Sequence, residues 1–370
     1  MKQSETYCIT GGHLTPAVAT IEELQKRDPT AHILFIGRSH ATEHARDVSH
    51  EKEEMERLGV RFIAIITGRI QRFISLGSLV NLLKIPVGIV QALLLIIREK
   101  PSRIVSFGGY VALPVVLAGY IRGIPVITHE QTSVIGLANR IIANFAKKIC
   151  VAFPKVLGDI PKQKGVLTGL PIRKEILSIQ RMKSVKKVMG VPKIYITGGS
   201  TGAATLNTQI FSLIPSLVQK FHVIHQTGRI TFAEAMRVRE LLPETKRSRY
   251  EVYEYVNPEK LVEIFETATL VVGRSGANTT LELATIGIPA ILIPLPWSGG
   301  GEQEKNARWL EKSGSSRVLL QKDLSGETLM SEIQHMVSHI KKYQTNALEF
   351  AATMPRNGTG SFVDEVVTLI

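Results

Sequence analysis

Short apolar runs alternate with longer helix-like stretches along almost the whole chain. This alternation is typical of βαβ units, in which each strand is followed by a helix that packs on a parallel sheet. We predict strands in the first half at residues 6–10, 31–36, 61–66, 103–106, 125–129 and 148–151, and in the second half at 193–197, 222–226, 250–255, 270–273, 290–294 and 317–320. The pattern therefore predicts an α/β fold with two doubly wound, Rossmann-like domains that face a cleft.

The chain has 370 residues, which is too long for one ordinary hydrophobic core and fits two domains. Between the two sets of predicted strands, residues 153–170 are rich in proline and glycine, as linkers often are. We therefore predict an N-terminal domain at 1–160 and a C-terminal domain at 161–354. A last helix at about 355–370 is expected to pack back on the first domain.

The formal net charge of +13 is compatible with nucleic acid, an anionic membrane or a phosphorylated substrate as a partner. Aromatic residues make up only 6% of the chain and no RNA-reading motif occurs, so we expect no nucleic-acid partner. The two cysteines, Cys8 and Cys150, lack C-x-x-C spacing, which argues against a zinc site or a disulfide framework and favours a reducing compartment. No D-x-D or other paired-carboxylate metal-binding signature is present, so we expect no metal and no other cofactor.

Residues 79–97 form a long apolar segment that Lys84 and Pro86, among others, interrupt. We interpret it as an amphipathic segment followed by a buried helix, not as a transmembrane helix. The beginning of this segment and the residues just before it combine basic and apolar side chains, namely Arg69, Arg72, Phe73, Leu76, Leu79 and Lys84. Such a mixture predicts a surface that faces an anionic membrane, and the alternative is an ordinary helix whose leucines face the core.

Two glycine turns follow predicted strands in the first half. The first is Thr10-Gly11-Gly12-His13, and the second contains Gly108, Gly109 and Tyr110. Glycine at a strand-to-helix turn lets backbone N–H groups and the helix N-terminus approach an anion closely. His13 stands at the mouth of its turn, where an imidazole can act on a substrate hydroxyl. Either turn could instead simply connect a strand to a helix.

A third polar segment, His129-Glu130-Gln131-Thr132, comes at the carboxyl end of a predicted strand. In open α/β sheets that edge faces the ligand crevice, so these side chains are candidates for binding. The alternative is a buried His-Glu pair whose hydrogen bonds are satisfied within the protein.

The second half contains two further glycine turns, each between a strand and a helix. Residues 197–203 offer backbone donors and the Ser200 hydroxyl to a pyrophosphate. Residues 273–282 end at Glu282, whose carboxylate suits two ribose hydroxyls, whereas Arg274 is expected to be structural or to face a phosphate. Gln303 follows a loop rich in proline and glycine, from which its amide could reach a sugar.

Taken in order, these motifs resemble the MurG family of bacterial transferases, which belongs to glycosyltransferase family 28. The resemblance is carried by TGGH, SFGGY, THEQ, TGLPIR, GGSTGA followed by Leu-Asn, HQTG and RSGANTTLE, between residues 10 and 318. It implies a GT-B fold and an inverting transfer of N-acetylglucosamine from UDP-N-acetylglucosamine to lipid I, which gives lipid II in peptidoglycan synthesis. It also implies that no metal is required and that the protein is peripheral on the cytoplasmic face of the plasma membrane.

The resemblance implies roles for individual residues. His13 would lie near the reacting sugars, and we expect it to act as the base on the acceptor hydroxyl. Residues expected on the substrates are Thr10, Gly11, Gly12, Thr132, Arg173, Ser200, Val256 at the uracil, Ala277, Asn278, Thr279, Thr280, Leu281, Glu282 at the ribose, and Gln303 at the sugar. Residues expected on the acceptor side are Gly108, Gly109, Tyr110, His129, Glu130 and Gln131.

The sequence departs from the family pattern at several positions. Cys8 and Ile9 replace a glycine pair, Thr132 replaces an asparagine, and residues 297–301 form an unusual loop. These departures keep open a related transferase that glycosylates diacylglycerol or another polyprenyl lipid. A UDP-sugar epimerase, which also pairs two such domains, is the alternative from a different class of enzyme.

Overall fold

The computed structural model of the protein describes residues 5–38, 50–68, 76–179, 190–198, 203–355 and 357–370, with the backbone only for 50 and 76–84. The chain divides into two compact units. Unit 1 comprises Met1–Arg173 together with Asn357–Ile370, and unit 2 comprises Lys174–Arg356.

Unit 1 is built on a parallel sheet. Its strands are β1 (Thr6–Thr10), β2 (His32–Gly37), β3 (Arg61–Ala64), β4 (Arg103–Ser106), β5 (Val126–Glu130), β6 (Lys148–Val151) and β7 (Gly165–Leu167), in the order β3-β2-β1-β4-β5-β6-β7. Its helices are α1 (Leu14–Arg27), α2 (His50–Arg57), α3 (Leu76–Glu99), α4 (Ala112–Ile121), α5 (Leu137–Ile142) and α15 (Gly358–Val367), with a 3-10 turn at Pro154–Asp159. The central strands β1, β4 and β5 are buried almost throughout, as expected where helices cover both faces of such a sheet.

The core of unit 1 includes the C-terminal helix. Phe362, Val363 and Val366 of α15 are fully buried in the same apolar cluster as Ile9 and Phe107. Helix α15 also contacts α1. The last residues of the chain therefore complete the first domain, because their apolar face has its partners there.

Unit 2 repeats this architecture. Its strands are β8 (Lys193–Thr197), β9 (His222–Gln226), β10 (Tyr250–Tyr253), β11 (Leu270–Gly273), β12 (Ala290–Leu292) and β13 (Ser316–Val318), all parallel in the order β10-β9-β8-β11-β12-β13. Its helices are α6 (Lys174–Leu177), α7 (Ala204–Lys220), α8 (Arg229–Glu240), α9 (Glu244–Arg247), α10 (Pro258–Thr267), α11 (Ala277–Ile286), α12 (Glu302–Glu311), α13 (Gly326–Ser338) and α14 (Ile340–Thr353). Short 3-10 turns lie at Gly299–Gly301 and Gln321–Asp323. The predicted α/β fold with two doubly wound domains is confirmed.

The boundary between the units lies after Arg173 instead of at 160. Residues 165–167, which fall within the predicted linker, form β7, and its Val166 pairs with Cys150 of β6. A three-residue edge strand carries too short an apolar pattern to be recognised from sequence. The predicted strand at 61–66 was also too long, since Ile65 is buried in the loop after β3 and extends the apolar run.

The long apolar segment is a single helix, α3, with Pro86 inside it. Its buried face includes Ala92 and Ile96. The prediction of a buried helix was wrong for the opposite face, where Val87, Val90, Leu94 and Ile97 are 45–62% exposed. These four positions recur every three or four residues and form one stripe, which we call the α3 stripe. Among the described residues no helix is both long and apolar enough to cross a bilayer.

Candidate functional site

The carboxyl ends of three neighbouring strands bring the motifs of the first half together. In the sheet, Thr10 at the end of β1 is paired with Ser106 of β4, and Ser106 is paired with Thr128 of β5. Because the carboxyl ends of parallel strands meet at one edge, the residues after these strands lie side by side. We call residues 10–13, 107–110 and 129–139 the unit 1 loop cluster.

The two glycine turns of this cluster interlock through their backbones. Gly12 N donates a hydrogen bond to Gly108 O at 3.0 Å. A Cβ atom added to Gly11 would lie 2.6 Å from Phe107 Cβ, and one added to Gly109 would lie 3.0 Å from Gly12 N. Gly108 and Gly109 also have positive φ angles, 68° and 78°. Side chains are therefore excluded from both turns, which leaves peptide groups at the surface of the cluster.

His13 is the residue just before helix α1, and its side chain makes no capping hydrogen bond. It is only partly exposed. Burial lowers the pKa of its imidazole below the usual range, and the nearby carboxylate of Glu130 partly opposes this effect. His13 is therefore neutral at pH 7 and can accept a proton.

Glu130 is a buried carboxylate that organises the loop after β5. Its Oε1 accepts hydrogen bonds from the backbone N of Thr132 at 2.9 Å and from Thr132 Oγ1 at 2.7 Å. Its Oε2 accepts from Gly136 N at 2.9 Å and from Asn139 Nδ2 at 3.0 Å. The buried charge is thus satisfied by four donors from the protein. The Thr132 hydroxyl, which we predicted to contact a substrate, is engaged in this internal network.

His129 is completely buried, and its contacts favour the structural alternative. Its Nε2 lies 2.9 Å from Gly169 O, so this nitrogen carries the proton and donates. Its ring packs edge-to-face on Phe362 of helix α15 with a centroid distance of 5.0 Å. Burial lowers the pKa of His129 to about 4, and the ring is neutral at pH 7. The residue ties β5 to the segment after β7 and to the C-terminal helix.

Asn139, on helix α5, was missed by sequence reasoning. It is buried, and its Nδ2 donates to Glu130 and to His129 O at 3.2 Å, while its Oδ1 accepts from Thr128 Oγ1 at 3.0 Å. A Cβ atom added to Gly108 would come within 3.0 Å of three atoms of the same amide. The available signal was an amide side chain in a short helix that follows the His-Glu-Gln segment within one loop.

A basic residue that sequence reasoning also missed lies beside the second glycine turn. Arg38 Nη1 donates a hydrogen bond to Tyr110 Oη at 3.1 Å, and its Nε lies 3.3 Å from Oε1 of the buried Glu51. The ion pair and the phenol hold the guanidinium at the edge of the loop cluster. Arg38 therefore places a guanidinium that is paired with Glu51 next to a turn that presents peptide groups.

In unit 2, the turn between β11 and α11 has open backbone donors at a helix N-terminus. Helix α11 begins after Gly276 without a side-chain cap. Asn278 Oδ1 and Thr280 Oγ1 are buried and have no hydrogen-bond partner among the described residues. Glu282 is 8% exposed, whereas Leu281 is packed in the core. The N-terminus of a helix with uncapped N–H groups favours an anion such as a diphosphate.

Gln303 connects this turn to the unusual loop before α12. Its backbone O accepts a hydrogen bond from Ser275 Oγ at 2.8 Å, and its side-chain Oε1 accepts from Leu295 N at 3.0 Å. Its backbone N donates to Ser298 Oγ at 3.1 Å. Gln303 is therefore held next to the start of α11, so these two predicted donor-binding segments lie together.

Residues 8–151 match the glycosyltransferase family 28 N-terminal domain, and residues 193–358 match the glycosyltransferase family 28 C-terminal domain. A UDP-N-acetylglucosamine–N-acetylmuramyl-(pentapeptide) pyrophosphoryl-undecaprenol N-acetylglucosamine transferase of Lachnoclostridium phytofermentans is 34% identical, over 98% of this chain and 96% of the relative. The transferase of the same name from Clostridium tetani is 32% identical, over 98% and 95%. The chain belongs to the MurG family of glycosyltransferases.

Solved structures agree with this assignment at the level of the fold. The crystal structure of Acinetobacter baumannii MurG matches with a TM-score of 0.73 and 24% identity, over 99% of this chain and all of that one. A UDP-GlcNAc 2-epimerase from Neisseria meningitidis, bound to UDP-GlcNAc, matches with a TM-score of 0.64 and 13% identity, over 98% and 99%. Membership of the MurG family confirms the resemblance that the motifs predicted, and with it the predicted enzyme class.

Other motifs of the MurG resemblance hold the fold in this chain. In HQTG, His225 Nε2 lies 3.1 Å from Asn207 Oδ1 and its Nδ1 lies 3.0 Å from Tyr250 Oη. Asn207 Nδ2 donates to Thr227 O at 2.7 Å. Arg274 donates to Ile293 O at 3.1 Å and to Gln321 Oε1 at 2.7 Å, as expected of a structural charge.

The remaining predicted residues are less constrained by the structure. Thr10 Oγ1 and Arg173 Nε are buried without a hydrogen-bond partner among the described residues, and both could bind a ligand. Val256 is buried in the loop before α10, and Gln131 is buried beside Glu130. The predicted Ser200, Arg69, Arg72 and Phe73 lie outside the described residues, as do the side chains of Leu76, Leu79 and Lys84. Among the residues that are described, no group of three or more His, Cys, Asp or Glu could hold a metal ion.

Proposed function

We propose that the protein transfers N-acetylglucosamine from UDP-N-acetylglucosamine to lipid I and so forms lipid II for peptidoglycan. The observation that carries the proposal is full-length similarity, at 32–34% identity, to transferases whose names specify this reaction. The loop cluster of unit 1 and the uncapped α11 of unit 2 supply the chemistry that such a reaction needs.

In the proposed mechanism, an acceptor hydroxyl displaces UDP directly at the anomeric carbon and inverts it. The neutral His13 takes the proton from the hydroxyl as the new bond forms. The N-terminus of α11 stabilises the diphosphate of the departing UDP, with Glu282 on the ribose, Val256 at the uracil and Gln303 at the sugar. Backbone donors and helix dipoles neutralise the diphosphate, so we propose that no metal ion is needed.

The acceptor would lie against the unit 1 loop cluster, where Gly108, Gly109 and Tyr110 accompany the segment after β5. The replacement of the family's asparagine by Thr132 does not argue for a different acceptor. The Thr132 hydroxyl donates to Glu130 inside the protein, so the change leaves the charge and the anchoring of this loop intact. We therefore favour lipid I over diacylglycerol.

We further propose that the protein binds the cytoplasmic face of the plasma membrane as a peripheral protein. The α3 stripe exposes four apolar side chains on one helix face, and Tyr120 and Ile121 at the end of the neighbouring α4 are also largely exposed. An apolar stripe of this kind inserts into the membrane interface, and the basic residues predicted on the preceding segment, Arg69, Arg72 and Lys84, would attract anionic headgroups. In sequence, the stripe follows directly on the membrane-facing region predicted at residues 69–84.

The test is to incubate the purified protein with radiolabelled UDP-N-acetylglucosamine and membranes that contain lipid I, and then to extract the lipids. Label in a product of the size of lipid II is expected. Transfer to diacylglycerol but not to lipid I would favour the related lipid transferase. Release of a free sugar-nucleotide isomer without lipid would favour an epimerase.

A further inference from the structure

We infer that unit 1 binds the first isoprenyl unit of a polyprenyl diphosphate acceptor in an apolar pocket beside the second glycine turn. The inference rests on the proposed function, because it specifies how the lipid end of the acceptor is held. It concerns a site within the protein and is distinct from the α3 stripe, which faces outward.

The pocket has a volume of about 160 Å³ and lies among three helices. It is lined by Ile85 of α3, Leu113 and Pro114 of α4, and Leu137 and Ala138 of α5, with Tyr110 at the loop cluster. Apart from the Tyr110 phenol, these side chains are apolar. An apolar cavity of about 150 Å³ binds a benzene ring, so the pocket is large enough for a branched five-carbon group.

The position of the pocket indicates which apolar group it takes. Tyr110 follows Gly109 directly, so the pocket begins where the glycine turn ends. In a prenyl diphosphate, the first isoprenyl carbon is bonded to an oxygen of the diphosphate. A diphosphate held at the turn therefore places that isoprenyl unit within a few ångströms of Tyr110. The Arg38 guanidinium, which is paired with Glu51, donates to Tyr110 Oη at 3.1 Å and lies at this polar end.

The same chemistry argues against a membrane phospholipid as the occupant. In a phospholipid, glycerol and ester groups separate the phosphate from the acyl chains, so no hydrocarbon adjoins the anion. Diacylglycerol carries no diphosphate at all. The combination of a glycine turn, a neighbouring guanidinium and an adjoining apolar pocket fits an anion that is bonded directly to a branched hydrocarbon.

The packing of α3 against α4 holds the walls of the pocket in place. A Cβ atom at Gly88 of α3 would lie 2.4 Å from Ile66 O and 3.4 Å from Pro114 Cγ. Ile85, in the pocket, lies on the same helix as Val87 and Val90 of the exposed stripe. The rest of a long polyprenyl chain can therefore pass from the pocket along α3 to the bilayer.

The experiment uses lipid I analogues whose polyprenyl chain is replaced by two isoprenyl units, by a straight saturated ten-carbon chain or by a methyl group. Assays without detergent or membranes remove any contribution of the α3 stripe. Each buried methylene changes a binding constant roughly fourfold, so we expect a KM at least ~10-fold lower for the isoprenyl analogue than for the methyl analogue. The straight chain should be intermediate.

Two variants test the pocket itself. Ala138→Phe fills it and should raise the KM of the isoprenyl analogue towards that of the methyl analogue, with the KM of UDP-N-acetylglucosamine unchanged. Leu113→Ala enlarges the pocket and should bring the KM values of the isoprenyl and straight-chain analogues closer together. This second variant tests the pocket even if Ala138→Phe does not fold. Asn144→Phe, on an exposed residue just after α5, is the matched control and should change neither KM.

Equal KM values of the wild type for the isoprenyl and straight-chain analogues would overturn the pocket assignment. The pocket assignment would also be overturned if Ala138→Phe and Leu113→Ala both fold and keep the acceptor KM values of the wild type. The proposed function would not be affected by that result. Failure of the wild type to modify lipid I or any analogue would instead overturn the proposed function.

Discussion

Asn139 donates a hydrogen bond from Nδ2 to Glu130 Oε2 at 3.0 Å, and the same amide packs against Gly108. One side chain thereby joins the second glycine turn to the loop after β5. These two segments follow consecutive strands, β4 and β5, and each contains residues that we assign to the acceptor. The amide therefore fixes the relative position of the two halves of the acceptor site.

Replacement of Asn139 by alanine should lower the free energy of unfolding by about 1–3 kcal/mol, because buried partners lose their hydrogen bonds. The acceptor KM should rise, while the KM of UDP-N-acetylglucosamine should stay unchanged because the contacts are confined to unit 1. Urea unfolding and steady-state kinetics measure both effects. Asn144→Ala, on an exposed amide, is the control. Equal changes in both KM values would contradict this role.

Glu130→Gln should move the pH dependence of kcat/KM. His13 must be neutral to accept a proton, so the rate falls as the pH falls through the pKa of His13. The Glu130 carboxylate raises that pKa, and its neutralisation should shift the acidic limb to lower pH. Glu263→Gln, on an exposed helix position, should leave the limb in place.

His13→Ala should lower kcat by about 10²–10⁴-fold and remove the acidic limb of the pH profile. An unchanged limb in His13→Ala would exclude His13 as the base.

Gly273→Ala should destabilise unit 2. The added Cβ atom would lie 2.4 Å from Thr197 O of the neighbouring strand, and strand separation of this kind costs about 1–3 kcal/mol. Gly276→Ala is the matched control, since no atom lies within 4 Å of its added Cβ atom and its φ is −59°. Thermal unfolding of the two variants compares them directly. A Gly273→Ala protein as stable as Gly276→Ala would show that β8 and β11 can separate without cost.

His225 should make the protein sensitive to acid. Burial lowers its pKa to about 3, so the folded state stays unprotonated at pH values where the unfolded state binds a proton. The free energy of unfolding should then fall as the pH is lowered from about 6.5 towards 3, by roughly 1 kcal/mol per pH unit for this group. His225→Gln should reduce the slope in urea unfolding experiments at several pH values. A slope equal to that of the wild type would argue against a neutral, buried His225.

Leu94→Glu should weaken binding to vesicles that contain anionic lipids, because it places a charge in the middle of the α3 stripe. Ile230→Glu changes an even more exposed apolar residue in unit 2 and should have little effect. Co-sedimentation with vesicles of mixed zwitterionic and anionic lipids measures both. Turnover of the soluble methyl analogue should be the same in the two variants, and equal loss of vesicle binding would contradict a specific α3 surface.

Much of the fold could be predicted from sequence because it depends on local patterns. Buried parallel strands are short apolar runs, and glycine is required where backbones approach as closely as they do at Gly11 and Gly109. The strand β7 was missed because three residues at the edge of a sheet are too few to show a recognisable pattern of apolar side chains. The later part of helix α3 was expected to be buried because its composition is apolar, and composition does not show which face of a helix has a partner.

The sequence by itself determined the α/β class, the positions of the glycine turns and the family, since each depends on residue types at fixed spacing. Only the tertiary structure decided what the polar side chains do. His129 and Thr132 look alike as candidate ligand contacts in the sequence, yet both make their hydrogen bonds within the protein. Asn139 became visible only when folding brought it to Glu130. The reason is physical: a hydrogen bond depends on the distance and direction between two groups in space, which the folded backbone sets and residue types do not specify, even for a pair as near in sequence as Asn139 and Glu130.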